Sequence, residues 1–212
     1  YLCVGDVVGY AANPKECIDK VKNIAKVTVA GNHDWASVGK FALDHFNPQA
    51  ALAISWTKNN LDAQGRDFLE SLQLVFQNED LTLVHGALER PQDFIYMTDS
   101  DTAGVTIELL KTDICFVGHL HIPGIFIKDR TNRISYQEKD SVIIENGNKY
   151  IVNVGSVGQP RDGNPGAAYC VYDTAKREVR IKRIGYDIKA AREKIFAAGL
   201  PVFLGNRLTD GR

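Results

Sequence analysis

Short apolar segments that each end beside a glycine and a polar side chain recur along this 212-residue sequence. The polar residues at these four junctions are Asp6, Asn32 with His33, His85, and His119 with His121. Apolar segments of this length are typical of buried strands. In layered α/β folds, ligands bind where the carboxyl ends of strands meet at one edge of the sheet. We therefore expect these side chains to converge on one site.

The donor atoms at these junctions favour a transition-metal site. Imidazole, carboxylate and amide groups together suit Mn²⁺, Fe²⁺, Zn²⁺ or Ni²⁺ better than an all-oxygen Ca²⁺ cage or a thiolate zinc site. Each junction also has an ordinary structural explanation when taken alone. The segment Gly5-Asp6 could be a turn, and Asn32 with His33 could start a capped helix. Their joint occurrence in one chain favours the metal site.

The order of predicted elements indicates an α/β fold. Strands alternate with helices in the first half, where Asn47-Pro48 is a typical helix start and a further helix is predicted from about Trp35. After Pro123 short alternating strands are separated by Gly, Asn and Asp turns, which is typical of antiparallel sheet. A final helix is predicted from Asp187 to Ala198. The sequence therefore predicts two β-sheets within one domain of residues 1–212.

Composition limits the classes of partner. The chain has 25 Lys and Arg against 26 Asp and Glu, so a net charge of −1 provides no overall attraction to nucleic acid or anionic membranes. A nuclease would need a local basic groove. No run of about 18 apolar residues occurs, so no membrane-spanning segment is predicted. Four scattered cysteines without a Cys-x-x-Cys pair suit a reducing compartment, and we expect a cytoplasmic location.

The order of the polar motifs resembles the metallophosphoesterase, or calcineurin-like phosphoesterase, superfamily. The matching segments are Gly5-Asp6, Gly31-Asn32-His33-Asp34, His85, and Gly118-His119-Leu120-His121. Within that superfamily the chain is most similar to the small YfcE-type phosphodiesterases, and the segment Gly155–Asp162 adds to the likeness. The resemblance implies an αββα fold, in which two mixed β-sheets pack as a sandwich flanked by helices.

The resemblance also implies a role for each candidate residue. Asp6 would bridge two divalent metal ions, Asn32, His85 and His119 would complete the second metal site, and His121 would belong to the first. The remaining candidate, His33, would lie beside the metals as a catalytic residue without binding them. Arg161, in a loop rich in Gly, Pro and Asp, could bind a substrate phosphate. An ordinary surface arginine in a turn is an equally good interpretation of Arg161.

The sequence departs from the superfamily pattern in one respect. The first superfamily block, Asp-x-His, supplies two ligands of the first metal site and the opening strand, and it does not occur before Asp6. Either the first metal site is half built, or the block precedes Tyr1. We expect the second, because Tyr1 begins in the middle of a predicted strand. The first strand of the sandwich is thus expected to be missing from this chain.

The implied reaction is phosphoester hydrolysis by two metal ions and an activated water. Protein phosphatases of the superfamily carry Gly-Asp-x-x-Asp-Arg-Gly, whereas this chain has Gly5-Asp-Val-Val-Gly-Tyr10. The difference favours a phosphodiester or another small organic phosphate as the substrate. The alternative function is a catalytically silent protein-interaction module on the same scaffold. The sequence predicts no oligomeric state.

Overall fold

The computed structural model describes all 212 residues, which form eleven strands and seven α-helices. The strands are β1 (Leu2–Cys3), β2 (Val27–Thr28), β3 (Val75–Gln77), β4 (Thr82–Val84), β5 (Ile114–Val117), β6 (Gly124–Lys128), β7 (Ile134–Gln137), β8 (Ser141–Ile143), β9 (Lys149–Asn153), β10 (Ala167–Asp173) and β11 (Glu178–Ile184). The helices are α1 (Pro14–Ile24), α2 (Asn32–Ser37), α3 (Pro48–Asn60), α4 (Ala63–Ser71), α5 (Ser100–Leu109), α6 (Ile188–Ala197) and α7 (Val202–Asp210).

The strands form three hydrogen-bonded sheets. The largest has the order β3-β4-β5-β9-β6-β7, in which β4, β5 and β9 are parallel and the other pairings are antiparallel. A second, antiparallel sheet has the order β10-β11-β8, and β1 pairs with β2 in a small parallel sheet. The predicted mixed α/β architecture is confirmed. The separate β1-β2 sheet is a detail that the two-sheet prediction did not contain.

The six-stranded sheet is buried on both faces. On β5, Ile114 and Phe116 contribute to one apolar cluster, whereas Cys115 and Val117 contribute to another on the opposite face. The first cluster also contains Val179 and other residues of the three-stranded sheet, so the two sheets pack face to face. The second cluster contains apolar residues of α5. Helix and sheet therefore cover the strands that carry the predicted site.

Helix starts agree well with the capping signals of the sequence. The Asn47 side chain accepts a hydrogen bond from the Ala50 N–H at 3.0 Å at the start of α3, and Asp187 accepts one from Ala190 at 2.9 Å at the start of α6. The longest helix, α3, has 13 residues. None of the helices combines the length and the apolar character needed to cross a membrane.

Some local features of the structure differ from the sequence-based prediction or were not predicted. The helix predicted from about Trp35 begins at Asn32, because Asp34 accepts the Gly31 N–H at 2.9 Å and caps the helix one turn earlier. Strand β7 and helix α7 were not predicted. A 3-10 turn spans Leu43–His45, and the His45 side chain is exposed.

Candidate metal centre

The structure brings three of the predicted metal ligands together. Asp6 follows β1, His85 follows β4 and His119 follows β5, so all three lie just beyond the carboxyl ends of strands. One ligand atom from each side chain lies within 4.8 Å of the others. Residues separated by as many as 113 positions in the sequence therefore form one compact group, as the strand-end pattern predicted.

The distances within this group suit a divalent cation. The His85 Nε2 atom lies 3.3 Å from the Asp6 Oδ2 atom and 3.1 Å from the His119 Nδ1 atom. Two ligands bonded to one ion at about 2.1 Å, at right or tetrahedral angles, are about 3 to 3.4 Å apart. The three side chains therefore already stand at the spacing of ligands of one ion.

Backbone carbonyl groups orient two of the predicted histidine ligands. The His85 Nδ1 atom lies 2.7 Å from the Val4 carbonyl oxygen, and the His121 Nδ1 atom lies 2.7 Å from the Gln159 carbonyl oxygen. Since a carbonyl oxygen only accepts, each Nδ1 carries the hydrogen and donates it. The Nε2 atom of each ring then keeps its lone pair, which is the arrangement that histidine ligands of metals adopt. His121 itself lies outside the compact group of Asp6, His85 and His119.

Three of the predicted site residues have buried polar atoms without hydrogen-bond partners. The Asn32 Oδ1, His33 Nδ1 and His119 Nε2 atoms are buried and form no hydrogen bond. An unpaired buried polar group costs about 1–3 kcal/mol, so folded proteins seldom contain several together. A bound cation or substrate would give such atoms a partner. The carboxylate, imidazole and amide donors present here therefore fit a site for divalent transition metals.

The backbone is strained at three of the predicted ligands. Asp6, His119 and His121 have φ angles of 54°, 63° and 64°, in the left-handed region. Each such conformation costs on the order of 1–3 kcal/mol for a residue other than glycine, and strain of this kind concentrates at functional sites. The same three residues thus combine backbone strain with ligand chemistry.

Two glycines allow the strand-end loops to approach one another. A Cβ atom at Gly31 would overlap the Asp6 Oδ1 atom. Gly5 has a φ of 94°, and a Cβ atom there would lie 2.9 Å from the His85 Nδ1 atom. The glycines beside the polar residues are therefore a steric requirement of the site.

His33 lies against the group and contacts it through its backbone. Its N–H donates a hydrogen bond to the Asp6 Oδ1 atom at 3.0 Å. Its ring lies between Tyr10 and Phe46, with centroid separations of 4.3 and 5.0 Å. Burial lowers the pKa of His33 to about 4, although the charge of Asp6 opposes the shift. The ring is therefore neutral near pH 7.

The electrostatics of the site favour the ligand forms of Asp6, His119 and His121, whereas at His85 burial is outweighed by the charge of Asp6 together with hydrogen bonds, which raise the pKa. Burial, followed by the positive charge of Arg161, lowers the pKa of His121 to about 3, and burial also lowers the pKa of His119. Burial by itself would raise the pKa of Asp6, but the charge of His85 and its hydrogen bond hold it well below its usual range. Neutral imidazoles and an ionised carboxylate are the forms that bind metals.

Arg161 lies beside the site rather than on a distant surface. Its backbone N–H donates to the His121 carbonyl at 3.1 Å. The Nη2 atom donates to the Gln159 Oε1 atom at 2.8 Å and to the Tyr10 hydroxyl at 3.3 Å. The half-buried guanidinium group therefore lies next to Tyr10, whose ring in turn contacts the His33 ring.

Two tyrosines line the site although the sequence did not single them out. Tyr10 contacts His33 and Arg161, and its place in the run Gly5–Tyr10 was the available signal. The Tyr96 ring stacks on His119, with centroids 3.7 Å apart and an interplanar angle of 18°. Tyr96 lies in the irregular segment after β4, and no local pattern indicated that it reaches the site.

Comparison with known proteins shows the family of this chain. The profile of the calcineurin-like phosphoesterase superfamily domain matches residues 1–177. A metallophosphoesterase from Sphaerobacter thermophilus has a crystal structure that superposes with a TM-score of 0.87, at 36% identity, over 99% of this chain and 86% of that one. The chain belongs to the calcineurin-like phosphoesterase superfamily.

Two archaeal proteins extend the comparison. An uncharacterized protein of Methanocaldococcus jannaschii is 38% identical, over 100% of this chain and 86% of its own length. A hypothetical protein from Pyrococcus horikoshii shares the fold, with a TM-score of 0.80 at 18% identity over 100% of this chain and 85% of that one. The fold of metallophosphoesterases is therefore shown over the whole chain, and metal-dependent phosphoester hydrolysis is the activity that this family and site suggest.

Proposed function

We propose that this protein is a phosphodiesterase that works with two divalent metal ions, of which Mn²⁺, Fe²⁺, Zn²⁺ and Ni²⁺ fit the donors. The observation that carries the proposal is the compact group of Asp6, His85 and His119, whose ligand atoms lie within 4.8 Å of one another in the interior. Membership of the superfamily supports phosphoester hydrolysis, and the phosphodiester preference rests on the sequence of the Gly5–Tyr10 run.

Each side chain of the site has a proposed task in metal binding. Asp6 would hold both ions, since its carboxylate has two oxygens and carries the charge that keeps two cations close. Asn32, His85 and His119 would help to hold one ion, and His121 would help to hold the other. When bound, a pair of divalent cations supplies positive charge for the phosphate oxygens and lowers the pKa of a water molecule.

The proposed roles of His33 and Arg161 concern the substrate. His33 is buried and neutral, and its backbone is fixed to Asp6, so its ring N–H can donate a hydrogen bond to a phosphate oxygen. In the imidazolium form, which a bound anionic phosphate favours, the ring can instead deliver its proton to the leaving oxygen and return to the neutral form. Arg161 presents a planar fork of donors that matches phosphate geometry. Tyr10 holds this fork through its hydroxyl group and orients it towards the site.

The proposal is tested by hydrolysis of bis(4-nitrophenyl) phosphate, a chromogenic diester, by metal-stripped and Mn²⁺-loaded protein. We expect hydrolysis only with the metal, and faster turnover of the diester than of 4-nitrophenyl phosphate, the matching monoester. Preference for the monoester would contradict the diester assignment. A protein that binds Mn²⁺ but hydrolyses neither compound would support the alternative of a silent interaction module.

The unpaired buried atoms argue against that alternative. An interaction module needs the fold but not a polar interior, and Asn32 and His119 keep buried atoms that lack partners. The cost of burying them is offset only if something binds there. The site therefore supports an enzyme better than a scaffold.

Three broader assignments belong to the same proposal. Residues 1–212 act as one metallophosphoesterase domain of the YfcE type, in which apolar clusters connect the sheets with the flanking helices. The substrate is a small phosphodiester or organic phosphate, and nucleic acid is not favoured by a net charge of −1. All four cysteines are free, which supports a reducing compartment such as the cytoplasm.

A further inference from the structure

The ring of Tyr96 lies flat against the ring of His119. The two centroids are 3.7 Å apart and the interplanar angle is 18°, so the rings stack nearly parallel. The other aromatic contacts made by histidines of the site are inclined by 51° or more. Tyr96 therefore covers one face of a proposed metal ligand, in a contact that no other histidine of the site makes.

His119 is held differently from the other two proposed histidine ligands. The Nδ1 atoms of His85 and His121 each donate to a backbone carbonyl oxygen at 2.7 Å. The His119 Nδ1 atom faces the His85 Nε2 atom at 3.1 Å, and the His119 Nε2 atom is buried and meets no hydrogen-bonding group of the protein. A hydrogen bond to the outer nitrogen normally orients a histidine ligand. At His119 the stacked ring of Tyr96 is the contact that can take its place.

The backbone at His119 is fixed, so the rotation of its ring is the freedom that remains. The Gly118 N–H donates to the His85 carbonyl at 3.0 Å, and the Gly118 carbonyl accepts a hydrogen bond from the Asn153 side chain at 2.7 Å. These bonds locate the Cα atom of His119 but leave its imidazole free to turn about the Cβ–Cγ bond, a torsion with broad minima. A flat ring against one face restricts that rotation.

The segment that carries Tyr96 is itself anchored. Phe94 is buried, and its ring centroid lies 5.9 Å from that of His85. Met97 is buried in the apolar cluster that includes residues of α5. Buried side chains on both sides of Tyr96 therefore fix its position along the edge of the site.

Burial of Tyr96 does not account for its place in the structure. The residue remains 48% exposed, whereas His119 beneath it is 5% exposed. Stacked aromatic pairs have a geometric preference that goes beyond the area they bury. The contact therefore constrains His119 more than it shelters Tyr96.

We infer that Tyr96 is a positioning residue, whose ring holds the His119 imidazole in the rotation that turns its Nδ1 atom towards His85. This inference rests on the proposed function, since it takes His119 as a metal ligand. The planar face of the ring provides the restraint. Phenylalanine should therefore replace Tyr96, whereas leucine, which is apolar but not planar, should not.

The test measures Mn²⁺ binding to metal-stripped full-length protein by calorimetry. We expect Y96L to weaken the affinity about tenfold, as loss of an outer contact of a histidine ligand predicts. Y96F keeps the planar face and should bind Mn²⁺ as the wild type does. The control is Y169L, the same replacement at a tyrosine of β10 that is 44% exposed, and its affinity should be unchanged. Wild-type affinity in Y96L, or equal weakening in Y96F and Y96L, would overturn the inference.

A spectroscopic measurement on the wild type keeps the inference testable if Y96L does not fold. With diamagnetic Zn²⁺ in place of Mn²⁺, we expect nuclear Overhauser contacts between the ring protons of Tyr96 and His119, because the stack should persist in the loaded protein. Y96F should show the same contacts from its own ring. Absence of these contacts in the Zn²⁺-loaded wild type would overturn the inference.

The outcomes separate this inference from the proposed function. A wild-type protein that binds neither Mn²⁺ nor Zn²⁺ would contradict the proposed function, and the role of Tyr96 with it. A wild-type protein that binds Mn²⁺ and hydrolyses bis(4-nitrophenyl) phosphate, with undiminished Mn²⁺ affinity in Y96L, would contradict the role of Tyr96 alone.

Discussion

The backbone N–H of His33 donates a hydrogen bond to the Asp6 Oδ1 atom at 3.0 Å, which joins the proposed catalytic histidine to the proposed bridging ligand. The Asp6 Oδ2 atom faces His85 at 3.3 Å. The Asp6 carboxylate therefore contacts both His33, which is proposed to act on the substrate, and His85, which is proposed to bind metal. A change at Asp6 and a change at His33 should consequently have separable effects.

Asp6→Asn tests the bridging role. The amide oxygen can still accept the His33 N–H, so the fold should persist, whereas the negative charge that holds two cations is lost. We expect the metal content per chain, measured by mass spectrometry after equilibration with Mn²⁺, to fall to half or less. Asp67→Asn makes the same chemical change at an exposed position and should keep the wild-type metal content. Full metal content in Asp6→Asn would refute the bridge.

His33→Asn tests the catalytic role. The backbone hydrogen bond to Asp6 is retained, but the ring that would contact the phosphate is lost. Turnover of bis(4-nitrophenyl) phosphate should fall by about 10²- to 10⁴-fold, as for removal of a general acid or base, with metal content unchanged. His45→Asn removes an exposed imidazole and should be without effect. Turnover within twofold of the wild type would exclude His33 from the reaction.

Gly31→Ala tests how tightly the loops approach. The φ of Gly31 is −98°, which alanine adopts freely, so the added methyl group acts through its overlap with the carboxylate and the backbone nitrogen of Asp6. We expect a loss of about 1–3 kcal/mol in the free energy of unfolding, together with weaker metal binding. Gly158→Ala is the control, because a Cβ atom there meets nothing within 4 Å. If Gly31→Ala and Gly158→Ala have the same free energy of unfolding, the loops do not approach each other closely at Gly31.

The acid stability of the metal-free protein should depend on His33. Burial lowers its pKa from 6.5 to about 4, so the unfolded chain takes up this proton first as the pH falls. The titration of His33 therefore leaves the free energy of unfolding unchanged above pH 6.5 and lowers it progressively between pH 6.5 and pH 4. Denaturant unfolding over this range should show a shallower pH dependence in His33→Asn, by up to about 1.4 kcal/mol per pH unit. Parallel curves for the variant and the wild type would contradict a buried neutral His33.

Local patterns were sufficient to predict the elements that carry the site. Apolar runs that end in glycine and a polar residue placed Asp6, His85 and His119 at strand ends, and the structure brings these three together. Helix α3 begins at its Asn-Pro signal. These features are determined by neighbours in sequence, so the sequence alone reveals them.

Features that depend on distant contacts were missed. Helix α7 contains Gly205, which weakens helix propensity, but a Cβ atom there would lie 2.5 Å from the Phe196 ring of α6. The helix thus depends on close packing between two helices, which no local pattern encodes. The stacking of Tyr96 on His119 likewise joins segments that only the folded chain brings together.

The alternation of side chains on β5 has a consequence for folding errors. Because Ile114 and Phe116 face one layer while Cys115 and Val117 face the other, a slip of one residue would exchange the layers and displace the loop that carries His119. A compact misfolded form with this shifted strand would therefore not bring the metal-binding side chains together. The amount of metal bound per molecule should therefore report the fraction of chains in which β5 has the correct register. Selection for metal-dependent activity would then also act against sequences that mispair this strand.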